Sequence, residues 1–295
     1  MTTFGSSRGV PVRGRETGPL RAAGEVLVGR RVGAYHQLTL VAPEIADRAE
    51  PGHFVSFGVE AHGTLLRRPF SIAGVSRHGP WAGTIDVVFE VVGPGTAWLA
   101  RRSKHDVVDV VGPLGRPFPV PAQPVRCLLV GGGYGAAPLL FLGERLRAEG
   151  LRVDLVFGAA EADRIHNVIE AKRLSTVARF TTEDGSLGDR GRVTDVLDDV
   201  LERTGAGVVY ACGPMPMLAA VSEIAREHRV PVKVSVEELM ACSTGVCMTC
   251  VVPYATRGGV RNVRACLEGP VLDGKRVRWD QVRAPGMGTD EAEEA

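Results

Sequence analysis

The sequence predicts a multi-domain protein of the β plus α/β class, and three textures along its 295 residues predict it. Residues 22–122 read as short strands broken by Pro/Gly turns, the pattern of an antiparallel barrel or sandwich. Residues 123–236 alternate strands with helices, the pattern of a doubly wound parallel sheet. Residues 237–280 form a small third module that carries four of the six cysteines. Flanking these, residues 1–21 are rich in Gly, Ser and Arg and read as a disordered arm, and residues 281–295 as a flexible acidic tail.

In the first unit the strand candidates are residues 25–33, 37–42 and 53–59, with Glu50-Pro51-Gly52 as a turn. Residues 84–92 alternate: Ile85, Val87, Phe89 and Val91 share one face, Asp86 and Glu90 the other. Gly93-Pro94-Gly95-Thr96 follows, ahead of a helix at 97–102. Read simply as a turn, it makes Thr96 the N-cap. Pro121-Ala122-Gln123-Pro124 marks the domain boundary. Beyond it, strands at 125–130, 152–157, 177–182, 207–211 and 231–236 alternate with helices at 136–148, near 163–174, 193–203 and 215–228.

Composition narrows the function. Thirty-five basic and 34 acidic residues nearly cancel, which excludes a charge-driven nucleic-acid or anionic-membrane partner. The longest uncharged run, residues 127–143, contains five glycines and a proline and reads as a buried strand–turn–helix rather than a membrane span. The N-terminal arm has no apolar segment of the secretory kind, and with free cysteines and no span the expected location is cytoplasmic.

Cys242, Cys247, Cys250 and Cys266 read C-x4-C-x2-C-x15-C, the plant-type spacing for a 2Fe-2S cluster. A tight loop delivers three thiolates and a distant residue returns the fourth, and Gly245 lets that loop turn. Structural zinc is the rival, since four thiolates also suit a tetrahedral ion, but only Cys247 and Cys250 form a zinc-type knuckle. A disulfide framework does not suit a chain of this length. Cys127 sits in an apolar strand and reads as core.

Three further motifs carry chemistry. Gly131-Gly132-Gly133-Tyr134-Gly135-Ala136-Ala137-Pro138 joins a buried strand to a helix, where bare backbone and the helix N-terminus can approach a pyrophosphate. Arg67-Arg68-Pro69-Phe70-Ser71 is by itself no more than a surface arginine pair. Cys212-Gly213-Pro214-Met215 ends a parallel strand, the end at which open α/β sheets bind ligands. The histidines show no metal spacing, and Glu237-Glu238 reads as solvated or capping.

Taken in order, R-P-F-S, G-P-G-T, G-P-L-G at Gly112–Gly115, the glycine turn, C-G-P and the cysteine loop resemble the ferredoxin–NADP reductase superfamily, a flavin-binding β-barrel followed by a pyridine-nucleotide domain. With the C-terminal cysteine module, the chain resembles the electron-transfer subunits of two-subunit, NAD-linked dihydroorotate dehydrogenases over residues 22–280. The resemblance implies FAD and a 2Fe-2S cluster as cofactors and NAD as co-substrate. It places Arg68 on the flavin pyrophosphate, Ser71 near the reactive flavin nitrogen, and Pro69 and Phe70 against the ring. Val88, Phe89 and Glu90 would offer backbone contacts, and Gly95 and Thr96 would bind phosphates through N–H groups and a hydroxyl. Gly131, Gly133 and Gly135 would border NAD, with Cys212 on the nicotinamide side of the flavin. Residues 182–186 could touch the nucleotide. Arg164 could reach a 2′-phosphate, which Glu161 and Asp163 would repel, and the resemblance favours NAD.

The resemblance also implies a partner, an FMN-bearing dihydroorotate dehydrogenase subunit in a hetero-oligomer of two copies of each chain, acting in pyrimidine biosynthesis. Electrons would pass between that FMN and NAD through the cluster and FAD. The alternatives are an electron-transfer subunit of another NAD(P)H-linked complex, of the sulfide dehydrogenase or ferredoxin–NADP reductase type, a stand-alone flavin reductase, and a zinc-stabilised binding module without redox activity.

Overall fold

A computed structural model describes residues 18–61 and 63–282. Most of the expected N-terminal arm and nearly all of the acidic tail lie outside the described residues. The arm is shorter than expected at its inner end, because Leu20 and Arg21 already pair with Gly112 and Val111.

The first unit is built from β1 (Leu20–Val32), β2 (Tyr35–Val41), a short helix α1 (Pro43–Arg48), β3 (Phe54–Phe57), β4 (Arg68–Ser76), β5 (Thr84–Phe89), α2 (Pro94–Ala100) and β6 (Val107–Leu114). Its six strands pair antiparallel in the order β1-β2-β5-β4-β3-β6, and the β6–β1 pairing closes them into a barrel. Closure removes exposed strand edges, which decides between the barrel and the sandwich. Ile85, Val87 and Phe89 fill the barrel core as their alternation predicts, beside Leu40, Val55 and Ile72. Val88, on the face expected to be polar, is also buried, because the second unit covers that side of the barrel.

The second unit follows as β7 (Arg126–Gly132), α3 (Ala136–Ala148), β8 (Arg152–Ala159), α4 (Val168–Leu174), β9 (Ala178–Thr182), β10 (Asp189–Arg190), α5 (Val193–Thr204), β11 (Val208–Cys212), α6 (Met215–Glu227) and β12 (Val232–Ser235). Then come the hairpin β13 (Val251–Thr256) and β14 (Gly259–Arg264), and β15 (Val271–Asp273). The main sheet runs β10-β9-β8-β7-β11-β12-β15, parallel except for β15. The order reverses between β7 and β11, the switch point at which such sheets open a crevice.

Two expectations are corrected here. The stretch 163–174 is not one helix: a 3-10 turn at Ala162–Arg164 is followed by α4, whose cap Asn167 is left-handed and accepts a bond from the Glu170 N–H at 3.4 Å. Residues 237–280 are not a separate module either. Lys233, Val234 and Ser235 pair with Asp273, Leu272 and Val271, so the chain returns from the cysteine region to finish the parallel sheet.

Helix α3 holds the two units together. Ala136 to Gly143 are all buried, as expected of a helix that is apolar on every side. Leu139, Leu142 and Leu146 pack on the parallel sheet. Phe141 belongs to the barrel core, and Ala137 meets Tyr35 and Val88. Among the described residues no helix is long and apolar enough to cross a membrane.

His53 anchors the turn into β3: its Nδ1 accepts the Glu50 N–H at 3.0 Å, and its carbonyl accepts Ile72 N–H. Burial lowers its pKa from 6.5 to about 4. The unfolded chain therefore binds this proton over a pH range in which the folded chain does not, and stability falls as pH drops from about 6.5 to about 4. Urea midpoints measured across that window are expected to decline, and His53→Gln is expected to flatten the slope.

Candidate functional site

The flavin-type motif lies on β4, whose start pairs with β3: Arg68 with Phe57, Pro69 with Ser56, Phe70 with Val55 and Ser71 with Phe54. The two arginines of the motif diverge and are not a surface pair. Arg67 turns into the barrel wall, donating to the Ser56 carbonyl at 2.6 Å and to the Asp109 carboxylate at 2.6 Å. Arg68 turns toward α2, donating to the Leu66 carbonyl at 2.8 Å. A Cβ on Gly95 would lie 2.7 Å from Arg68 Nε. Glycine there lets the helix start and the guanidinium approach, giving a cationic cradle beside free backbone N–H groups that suits a pyrophosphate. Phe70 sits between Phe57 and Phe89, with ring centroids 5.4 and 5.2 Å away.

Thr96 departs from its expected role. Helix α2 begins at Pro94, so Thr96 is the third helical residue and not the cap. Its Oγ1 accepts the N–H groups of Val92 and Gly93 at 2.9 and 3.1 Å and donates to the Gly93 carbonyl at 3.1 Å. The hydroxyl builds the turn, which leaves the backbone of Thr96, not its side chain, for a phosphate.

A cavity of about 490 Å³ opens where the barrel meets the sheet switch point, a size suited to a cofactor-scale ligand. The glycine turn forms part of its wall, but only Gly133 of the three expected glycines lines it, together with Gly132. Gly131 and Gly135 have a packing role. A Cβ on Gly131 would meet Phe157 at 2.8 Å, and one on Gly135 would meet the Cys212 carbonyl at 2.5 Å. Cys212 is also set behind the wall: it is 2% exposed, and burial pushes its thiol pKa up, with Glu237 adding to the effect and a bond to Ser235 opposing it.

Several lining residues carried little sequence signal. Tyr35 and Tyr134 meet edge to face, 6.0 Å between centroids. Glu237, read from sequence as solvated, lines the cavity. Burial raises its pKa to about 7 against a hydrogen bond with Tyr134, so its carboxyl can carry a proton near neutral pH. Glu90 and Arg164 bridge barrel and sheet through two bonds of 3.1 and 2.8 Å. Arg164 also lies 3.4 Å from Glu161, so this arginine, considered for a 2′-phosphate, is already committed. Of residues 182–186, Glu183 lines the cavity.

The cysteine loop is shaped by three left-handed residues, Ser243, Gly245 and Met248, with φ of 61°, 83° and 60°. The turn aims backbone N–H groups at sulfur: Thr244, Val246 and Cys247 donate to Cys242 Sγ at 3.5, 3.3 and 3.4 Å. Burial opposes the Cys242 thiolate, yet these bonds bring its pKa down to about 6. Cys266 N–H donates to Cys250 Sγ at 3.4 Å, and Thr249 Oγ1 to Cys247 Sγ at 3.2 Å. The thiols meet in two pairs, Cys242 with Cys247 and Cys250 with Cys266. Among the described residues no three Cys, His, Asp or Glu groups converge as one metal ion requires. Two thiols for each of two irons fit a 2Fe-2S cluster better than one tetrahedral zinc. The Arg264 guanidinium holds the Gly245 carbonyl at 2.9 Å, and buried Ser243 Oγ meets Ser56 Oγ of β3 at 3.2 Å.

Residues 237–278 match the iron-sulfur cluster binding domain of dihydroorotate dehydrogenase B. The dihydroorotate dehydrogenase B (NAD(+)) electron transfer subunit of Desulforamulus reducens is 37% identical over 240 residues, covering 81% of this chain and 90% of that one. That of Bacillus caldolyticus is 36% identical over 262 residues, covering 88% and 96%. Among solved structures, an NADH-dependent reduced ferredoxin–NADP oxidoreductase, described for flavin-based electron bifurcation, superposes with a TM-score of 0.76 at 33% identity, covering 88% of this chain and 91% of that one. The ferredoxin reductase of carbazole 1,9a-dioxygenase shares the fold, with a TM-score of 0.60 at 19% identity, covering 73% and 69%. The barrel, the parallel sheet and the cysteine loop are thus those of a ferredoxin–NADP reductase-like protein, and the chain belongs to the family of electron transfer subunits of NAD-linked dihydroorotate dehydrogenase B.

Proposed function

We propose that this chain carries electrons between an FMN-containing dihydroorotate dehydrogenase subunit and NAD, on the route to UMP, within a cytoplasmic hetero-oligomer of two copies of each chain. The observation that carries this reading is the buried Ser56–Ser243 contact. Ser56 pairs with Pro69 of the flavin-type motif, so the cysteine loop lies one strand spacing, about 4.8 Å, and one hydrogen bond from the flavin cradle. The dinucleotide cavity opens beside the same barrel.

FAD, when bound, exchanges a hydride with nicotinamide and single electrons with the cluster, so it couples the two currencies. The protein residues have separable tasks in this reading. Arg68 holds the pyrophosphate, with the backbone N–H groups of Gly95 and Thr96. Pro69, Phe70 and Ser71 orient the ring, Ser71 toward its reactive nitrogen, and Val88, Phe89 and Glu90 supply the facing strand. Gly133 and Gly132 give NAD bare backbone to lie on, while Gly131, Gly135 and Cys212 hold the wall behind it. Glu237 holds or releases a proton at its carboxyl in that wall. Cys242, Cys247, Cys250 and Cys266 hold the cluster, and the N–H groups around Cys242 favour its thiolate.

Three measurements test this. Arg68→Ala is expected to weaken FAD binding by about 10- to 100-fold, the loss of a charge-assisted bond or two, read from flavin retained on gel filtration. Cys247→Ser is expected to lose iron and partner-coupled NAD reduction while keeping NADH-driven reduction of an artificial acceptor. The purified chain is expected to show flavin and iron-sulfur absorption, to oxidise NADH with artificial acceptors, and to leave dihydroorotate untouched until the FMN subunit is added. A colourless zinc protein, or dihydroorotate oxidation by this chain alone, would overturn the proposal.

A further inference from the structure

The cavity has two chemically different ends. One end, at the sheet switch point, is bounded by Tyr35, Tyr134 and Glu237, beside the barrel. The other extends to Glu183, just past β9, and to Arg192 and Thr194 at the start of α5. In the sheet order β9 lies two strands from β7. A dinucleotide that presents its nicotinamide to the barrel must lay its adenosine toward that far end. This step rests on the reading of the cavity as the NAD site.

The far end carries one carboxylate and one guanidinium, held by each other. Arg192 Nε lies 3.6 Å from Glu183 Oε1, and the side chains are 75% and 57% exposed. The second arginine of the cavity, Arg164, is spoken for by Glu90 and Glu161. In nucleotide sites a carboxylate at the adenosine ribose accepts the 2′-hydroxyl, whereas an arginine accommodates a 2′-phosphate. Both groups are present here, and which of them faces the ribose depends on their pairing. An ion pair this exposed is weak, so removing the carboxylate frees the guanidinium at little cost to the fold.

We propose that Glu183 sets the coenzyme choice of this pocket: it accepts the adenosine 2′-hydroxyl, repels a 2′-phosphate, and holds Arg192 away from the position from which it would bind one. Glu183 is thus a specificity-determining residue, and Arg192 a latent 2′-phosphate site masked by its partner.

The test is titration calorimetry of the flavin- and iron-loaded protein with NAD+ and NADP+, oxidised ligands that leave the oxidised protein unreduced. The wild type is expected to prefer NAD+. Glu183→Ala is expected to shrink the NAD+/NADP+ preference by about tenfold or more, through tighter NADP+ binding as well as weaker NAD+ binding. Glu183→Ala combined with Arg192→Ala is expected to lose the gain in NADP+ affinity, while Arg192→Ala alone leaves NAD+ binding within about threefold. An unchanged preference in Glu183→Ala, or NADP+ binding that survives the double substitution, overturns this inference and leaves the NAD site standing. A wild type that binds neither dinucleotide overturns the NAD site and this inference together.

Discussion

Burial of helix α3 from both sides is the constraint on which this molecule depends. Its leucines pack on the parallel sheet while Phe141 enters the barrel core and Ala137 meets Val88 of β5. A helix of this kind has no solvent face, so barrel and sheet cannot separate without exposing it. Burying one phenylalanine side chain is worth about 1.5–3 kcal/mol, and here several large residues are shared between the units. The N-terminus of the same helix carries the glycine turn. The wall of the nucleotide cavity is therefore held in place by the packing that joins the two units.

The cysteine loop is tied in by different means. Few apolar residues enter the loop itself, and Val246 and Met248 are exposed. What fixes it is polar: the Ser243–Ser56 bond to the barrel, Arg264 on the Gly245 carbonyl, and the N–H groups turned onto Cys242. The return of the chain into β15 then locks the module onto the sheet edge. The Cys242–Cys247 side of the loop faces outward while Cys250 and Cys266 are buried. One pair of thiols thus looks toward solvent and the other toward the interior.

Where the expectations about single residues changed, the cause was local geometry. The glycine turn was located correctly, but glycines serve both ligand approach and tight packing, and only neighbours reveal which. Gly131 sits under Phe157 and Gly135 against the Cys212 carbonyl, whereas Gly132 and Gly133 face the cavity. The Thr96 hydroxyl is consumed by its own turn. Arg67 and Arg68 are adjacent in sequence, but strand alternation sends them to different partners.

Local regularities made much of this protein legible from its residues alone. The 3.6-residue period of α3, the alternation of β5, the buried run of β7 and the C-x4-C-x2-C loop are short-range patterns that survive in one dimension, and the order of motifs carried the cofactor set. The cavity and its chemistry came from packing between distant segments. Glu237, Tyr35, Glu90 with Arg164, and Glu183 with Arg192 are brought together from opposite ends of the chain, and no spacing rule links them. Barrel closure and the return of β15 are likewise long-range pairings. Their partners lie tens of residues or more apart, so the information that selects them resides in the burial each pairing makes possible and not in any single stretch of sequence.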